Sequence, residues 1–332
     1  MIPKIVCIGS STLDCIIRVH DVLRLKLFGK DYNKKYTAIE YSSKLNIEDV
    51  KFIPGGSAAN IAANCSKLGL NSAYIGILGD DFLAQICLRD LKKRNVDISN
   101  VKLSSEDKTA FSVILKTYWG KDRSILAYKG ANNLLRPSDI NKDFFKKISA
   151  FAWTSLTSEN GCKAIFKAIN LTKENGGRVF AAPSISIIKN NLKWAKILIS
   201  NSDVISLNKE DAQELTGFSE YEDIIQKFIE MGLKLVSITD GSNGSIISDG
   251  HKVITSSIYE VNVEDTTGAG DSFMSGIIYS SLNDYNLEKI AKVASAISAM
   301  KCMKLGIRDG LPEKIEGLNN FINSNNLNQH TT

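Results

Sequence analysis

The sequence predicts an α/β protein in which a mainly parallel sheet carries helices on both faces and a smaller strand-rich layer lies over it. Three observations lead there. In the second half of the chain, short apolar runs alternate with helix-periodic segments, the pattern that parallel strands and crossover helices require. Two stretches, about 15–54 and 108–130, break this rhythm with hairpin-like strand patterns and read as one small sheet placed as a lid would be. The 332 residues suffice for one large domain with such an appendage.

The elements follow in order. Residues 4–9 form an apolar run stopped by Gly9-Ser10-Ser11, a buried strand entering a loop, and 13–19 continue as a second strand. Residues 22–50 are polar and poorly periodic, with a β-rich patch at 36–41. From Gly55 the helical period sets in: over 57–68, Ala58, Ile61, Ala62, Cys65 and Leu68 share one face, and Gly69 ends the helix. A strand follows at 72–78, then an amphipathic helix at 80–94 with Phe82, Ile86, Leu88 and Leu91 as its core face. Strands at 110–115 and 124–128 are joined by a polar turn around 120–122. Beyond, strands at 150–154, 178–182, 204–207, 235–239 and 244–248 alternate with helices at 162–175, 209–215, 221–231, 269–282 and 287–304. Residues 319–332, rich in Asn, read as a flexible polar tail.

Composition excludes several classes. Hydrophobic residues at 43% and charged residues at 23% are those of an ordinary soluble enzyme. The net charge of +5 is spread along the chain, which suits anionic small ligands and gives no basic arm for nucleic acid. No two of the six cysteines stand at a Cys-x-x-Cys spacing and no His is near them, so a zinc site is not expected and the thiols read as buried groups in a reducing compartment. No signal region precedes the first strand and no apolar window is long enough for a bilayer, so a cytoplasmic protein without membrane contact is expected.

The strongest chemical signal is Asp265-Thr266-Thr267-Gly268-Ala269-Gly270-Asp271-Ser272-Phe273, between a β-like stretch and an apolar helix. A glycine-rich turn feeding a helix start aims backbone N–H groups at one spot, and the helix dipole adds positive charge there. Such a site suits a phosphoryl group gaining negative charge during transfer. Asp271, in the first turn, is placed to accept the proton of an attacking hydroxyl; an Asp that only caps the helix is the plainer alternative.

This string resembles the C-terminal signature of the ribokinase, or PfkB, family of carbohydrate kinases. The stretch 55–69, beginning Gly55-Gly56-Ser57-Ala58-Ala59-Asn60, resembles the family's N-terminal signature. The resemblance covers the chain from near its start to about Pro312. It implies a three-layer α/β/α ribokinase-like domain over 1–318 with a small β-sheet lid, and ATP-dependent phosphorylation of a primary hydroxyl on a small sugar. By the same resemblance Asp271 is the general base, Gly268, Ala269 and Gly270 form the anion hole, and Asp14, Gly55, Gly56 and Asn60 contact the substrate. Thr239, Gly241 and Gly244 in Thr239-Asp240-Gly241-Ser242-Asn243-Gly244 match a nucleotide-phosphate loop, although a plain hairpin turn has the same composition. Asn208-Lys209-Glu210-Asp211 is similar to the family's Asn-x-x-Glu motif, tied to Mg2+ and phosphate; Asp211, one methylene shorter than Glu, suits contact through water, while direct ligation would be more sensitive to that change; Glu210 is an alternative carboxylate, and a helix cap satisfies the string equally. Asp265 and Thr267, with the region of Gly306, match a monovalent-cation site and imply K+. A homodimer through the lid is implied as well.

Substrate identity stays open at this level. Thr154-Ser155-Leu156-Thr157 lacks the carboxylate of ribokinases proper, and Ala182 stands where many members have Asp. Ala182-Pro183-Ser184 resembles adenosine kinases, whereas Gly130-Ala131-Asn132 resembles sugar kinases. A nucleoside kinase acting on a 5′-hydroxyl is therefore the alternative, with Tyr36, Tyr41, Phe52, Phe111, Tyr118 or Trp119 to stack a base. A phosphorylated sugar would call on Lys116, Lys121 or Arg123. A non-catalytic ligand-binding protein on the same fold is the reading from another class.

Overall fold

The computed structural model describes residues 5–19, 22–29, 32–117, 123–312 and 315–331. The first half runs β1 (Ile5–Ile8), β2 (Thr12–Val19), β3 (Leu23–Gly29), β4 (Tyr32–Ala38), β5 (Ile47–Gly55), α1 (Ser57–Lys67), β6 (Ser72–Ile75), β7 (Ile77–Gly79), α2 (Phe82–Lys93), β8 (Lys102–Ser104), β9 (Phe111–Thr117) and β10 (Arg123–Tyr128). The second half runs β11 (Ala150–Thr154), α3 (Glu159–Glu174), β12 (Arg178–Ala182), α4 (Ile185–Asn190), α5 (Leu192–Ser200), β13 (Val204–Asn208), α6 (Lys209–Thr216), α7 (Tyr221–Glu230), β14 (Leu235–Thr239), β15 (Ser245–Ser248) and β16 (Val253–Ser256). It closes with α8 (Ala269–Leu282), α9 (Leu287–Cys302), α10 (Ile315–Ser324) and β17 (Gln329–Thr331).

The main sheet has the order β17-β16-β15-β14-β13-β12-β11-β1-β6. From β6 to β14 every pairing is parallel, and β14 to β17 continue antiparallel. Strand periodicity divides the core between two faces. Val6, Ile8, Phe151 and Trp153 point into the cluster beneath α3 to α7, while Ile5, Cys7, Ala150 and Ala152 point into the one beneath α1, α2, α8 and α9. Burial on both faces explains why these strands read as continuous apolar runs, and it produces the three α/β/α layers.

A separate four-stranded sheet, β10-β9-β2-β5, draws on both segments that broke the sequence rhythm. β2 leaves the main sheet's β1 through the Gly9-Ser10-Ser11 loop and pairs with β5 and β9. β3 and β4 form a hairpin of their own. The turn expected around 120–122, with Tyr118, Trp119 and Lys121, lies outside the described residues, and so does the Arg123 side chain.

Four expectations change. The strand expected at 72–78 is two, broken at Gly76, where a Cβ would sit 2.2 Å from the Tyr74 hydroxyl; β7 then pairs with β8. On α2, Ala84, Cys87 and the expected Leu91 are buried and the expected Ile86 and Leu88 pack partly buried against the same cluster, whereas Phe82 is 68% exposed. Asp81 sets that phase, its carboxylate accepting from the Ala84 N–H at 2.9 Å and fixing where the helix begins. Helices α4 and α5 and strand β16 were not expected. The stretch 319–332, expected to be a flexible tail, holds the end of α10 and β17. Leu318 is buried, Phe321 meets Tyr259 edge-on with centroids 5.2 Å apart, and β17 pairs with β16. These apolar anchors, with Ile322 and Leu327 packed on the same cluster, outweigh the Asn-rich composition there.

Candidate active site

Two glycine turns, distant in sequence, meet beside the second sheet. At the first, a Cβ on Gly55 would lie 2.1 Å from Asp14 Oδ2, and one on Gly56, whose φ is +90°, would lie 2.5 Å from the Ser10 carbonyl oxygen. Only glycines let the Ser10-Ser11 loop and Asp14 close onto the start of α1. Asp14 is buried, and its Oδ1 accepts from the Ser112 hydroxyl of β9.

At the second turn, Gly268 adopts a left-handed conformation, φ +83°, at the start of α8. A Cβ there would sit 2.6 Å from the Ile307 carbonyl oxygen. The Ala269 N–H donates to the Thr266 carbonyl at 3.2 Å, a bond that closes the turn. Among the described residues the N–H groups of Gly268, Gly270 and Asp271 have no such partner, as the first turn of a helix dictates, and Gly270 is exposed.

Asp271 is half-buried in that first turn, and Asn60 Nδ2 donates to its Oδ2 at 2.7 Å. Burial pushes the carboxyl up to about 6; hydrogen bonds from Asn60 and Ser57 and the charge of Arg308 oppose this, and the charge of Asp14 adds to it. The structure thus brings Asp14, Gly55, Gly56, Asn60, Gly268, Gly270 and Asp271 together.

Arg308 holds this arrangement, and sequence reasoning missed it. It is 3% exposed; Nε donates to Asn60 Oδ1 at 2.8 Å, Nη2 to the Gly55 carbonyl at 2.8 Å, and Nη1 to Asp90. With Oδ1 of Asn60 engaged by Arg308, its amide N–H faces Asp271. The only cue in the sequence was a charge between Gly306 and Gly310.

A cleft of about 360 Å3 adjoins the second turn. Thr239, Gly241 and Gly244 line one side, Ala269 and Gly270 the floor, and Ile258, Val261, Phe273 and Ala299 give it an apolar wall. The positions expected to meet nucleotide phosphates and the turn expected to form the anion hole therefore share one cavity.

Asn208 and Asp211 stand elsewhere, at the start of α6. Asn208 Oδ1 accepts from the Asp211 N–H at 2.7 Å, the helix cap that the string also allowed. Asp211 is buried, its Oδ2 accepts from the Ile185 N–H at 3.2 Å, and burial raises its carboxyl above the usual range. No cluster of three or more metal-type side chains exists among the described residues. With Oδ2 taken by the Ile185 N–H, the Asp211 carboxylate fits a Mg2+ held by phosphates and water.

Asp265 and Thr267 are buried next to the anion turn; Asp265 Oδ1 accepts from the Thr267 N–H at 3.0 Å and from its hydroxyl at 2.7 Å. Lys116 of β9 reaches Asp265 at 3.6 Å. The buried Lys301 ammonium donates to the Asp265 carbonyl oxygen at 2.7 Å.

Comparison with known proteins identifies the family and the fold. Residues 3–314 match the model of the pfkB family carbohydrate kinases. An ATP-dependent 6-phosphofructokinase of Thermoanaerobacterium thermosaccharolyticum is 29% identical over 281 residues, covering 82% of this chain and 86% of that protein. Fructokinase-1 of Oryza sativa subsp. japonica is 28% identical over 288 residues, covering 80% and 87%. The structure of Arabidopsis thaliana ribokinase complexed with ribose and ATP superposes with a TM-score of 0.80 at 21% identity, covering 97% of this chain and 99% of the other. No helix among the described residues is long and apolar enough to cross a membrane. With the family's model matched over nearly the whole chain, this protein belongs to the pfkB family of carbohydrate kinases.

Proposed function

We propose that this kinase transfers the γ-phosphoryl group of Mg-ATP to a primary hydroxyl of a small sugar, with Asp271 as general base. The observation that carries the reading is the carboxylate of Asp271, held by Asn60, next to the unpartnered N–H groups of Gly268 and Gly270 at the mouth of the 360 Å3 cleft. ATP would lie in that cleft with its base against Ile258, Val261 and Phe273 and its phosphates toward Thr239, Gly241, Gly244 and the start of α8. The sugar would lie between Asp14, Gly55, Gly56 and Asn60. Its hydroxyl oxygen bonds to the γ-phosphorus, the bond from that phosphorus to the β,γ-bridging oxygen breaks, Asp271 takes the hydroxyl proton, and ADP leaves. The charge gathering on the phosphoryl oxygens is met by the amides of Gly268 and Gly270. Mg2+ would be held by the phosphates and by waters, with Asp211 in contact through water.

Support for a sugar comes from the polar pair of Asp14 and Asn60, both buried and both within the electrostatic or hydrogen-bond reach of Asp271. Of the described aromatic side chains considered for stacking a nucleobase, Phe111 packs on the core and Tyr41 is 96% exposed. Lys116, considered for a sugar phosphate, is engaged by Asp265. The test is ADP release with Mg-ATP across ketohexoses, aldopentoses, sugar acids, their phosphates and nucleosides. An unphosphorylated sugar should give the highest kcat/KM; a nucleoside leading the panel by about tenfold or more, over 1 kcal/mol of transition-state binding, would replace the sugar reading.

The second sheet is also proposed as a dimer interface. Leu23, Leu25, Leu27, Val50, Phe52 and Leu126 expose large apolar surfaces on it and on the adjoining hairpin, with Leu126 at 69% and Leu23 at 64%. Unpartnered strand edges carrying such residues favour association. Light scattering after gel filtration should return twice the 36.4 kDa chain mass; a monomer at micromolar concentration would remove the proposal.

A further inference from the structure

We infer that the Lys301 ammonium permanently occupies the place of a monovalent cation beside the anion hole, so that this kinase works without K+. The inference deepens the kinase reading, and rests on it for its activity measurements.

Lys301 is 0% exposed, near the end of α9, within a run that is otherwise apolar or small, Ala296-Ile297-Ser298-Ala299-Met300. A buried lysine persists only where its ammonium finds oxygen partners. Its Nζ donates to the Asp265 carbonyl at 2.7 Å and to the Lys304 carbonyl at 3.3 Å. These oxygens come from the two chain segments where the cation was expected: the turn of Asp265 and Thr267, and the approach to Gly306. Carbonyl oxygens facing inward around a carboxylate are also the donor set that a K+ ion takes, and an ammonium presents the same charge at a similar radius.

The charges leave little call for another cation. Asp265 Oδ1 already faces Lys116 at 3.6 Å and the carboxylate feels Lys301, so two ammonium groups accompany one buried carboxylate, whose Oδ2 has no hydrogen-bond partner among the described residues. A K+ ion entering the same oxygens would add a third positive charge and would have to displace the Lys301 Nζ. The Cys302 carbonyl, next in the chain, accepts from the N–H groups of Glu264 and Asp265 at 2.9 and 3.2 Å, so the end of α9 is fastened to this turn by backbone and ammonium together. Three residues after Asp265 comes Gly268, whose amide faces the phosphoryl site. Lys301 is therefore a positioning residue: it orients the turn that carries the anion hole and touches no substrate. Being covalently attached, it does so at any salt composition.

The test compares KCl, NaCl and tetramethylammonium chloride at equal ionic strength. Wild-type initial rates should agree within about twofold, and the melting temperature should be the same in all three, because a ligand raises it only by binding the folded state. Lys301→Ala uncovers the carbonyl oxygens. It should lose roughly tenfold or more of kcat in tetramethylammonium, an effect of over 1 kcal/mol on the barrier, and recover in KCl, with a melting temperature that K+ now raises. A wild-type rate or melting temperature that climbs in KCl relative to tetramethylammonium would overturn the inference, as would a folded Lys301→Ala protein as active as wild type in every salt. If that variant does not fold, the wild-type melting series decides alone. Absence of turnover in all salts with all acceptors would fail the kinase reading, and the melting series would still decide the cation question.

Discussion

Asp271→Asn should lower kcat by about three orders of magnitude or more while ATP affinity stays close to wild type, because a positioned general base contributes roughly 10²–10⁴-fold. Asn keeps the size of Asp, and its Oδ1 can still accept from Asn60 Nδ2, so the cleft and the α1–α8 contact persist. What disappears is the capacity to take a proton. The same carboxyl predicts a pH profile. Burial raises it to about 6, and only the ionised form is a base, so wild-type kcat/KM should fall as pH drops through about 6. The stability effect has the opposite sense. A carboxyl that titrates higher folded than unfolded favours the folded state at acid pH, and that contribution is lost as pH rises through 6. Asp271→Asn, with no charge to bury, should therefore melt at or above the wild-type temperature at pH 8. An inactive but more stable variant separates catalysis from folding; undiminished phosphoryl transfer by Asp271→Asn would remove the base assignment.

Gly268→Ala should be nearly as damaging, for a backbone reason. At φ +83° an L-residue is strained, and the added Cβ would meet the Ile307 carbonyl oxygen at 2.6 Å. The turn must shift by tenths of an ångström to relieve this, and the Gly268 and Gly270 amides shift with it. Losing one aligned donor at developing charge costs about 10²–10³ in kcat. The loss should appear mainly in kcat, with KM for the sugar little changed, since Asp14, Gly55 and Asn60 belong to the other turn. A Gly268→Ala enzyme with wild-type kcat would show that these amides do not face the transferred group.

The parts of the site legible in the sequence are those that local chemistry dictates. The string around Gly268 announces a turn into a helix because glycine and a following apolar run specify it within nine residues, and Gly55-Gly56 announce a close approach for the same reason. That the two turns meet could be read only through the family resemblance. Arg308 and Lys301 were not legible, because their roles depend on long-range partners: Asn60, Asp90 and the Gly55 carbonyl for one, the Asp265 carbonyl for the other. A charged residue in a loop or a helix reads by default as solvated surface. The tail failed for a different reason: its average composition is polar, and order comes from a few apolar residues, Leu318, Phe321, Ile322 and Leu327, packed on one cluster.

The most direct measurement is a crystal structure of the complex with a non-hydrolysable ATP analogue, Mg2+ and the best sugar from the acceptor panel. The account predicts the γ-phosphoryl oxygens within hydrogen-bond distance, about 2.7–3.1 Å, of the Gly268 and Gly270 nitrogens, and the acceptor hydroxyl at a similar distance from an Asp271 carboxylate oxygen. A γ-phosphate bound away from the start of α8, or a sugar whose hydroxyls do not reach Asp271, would contradict it.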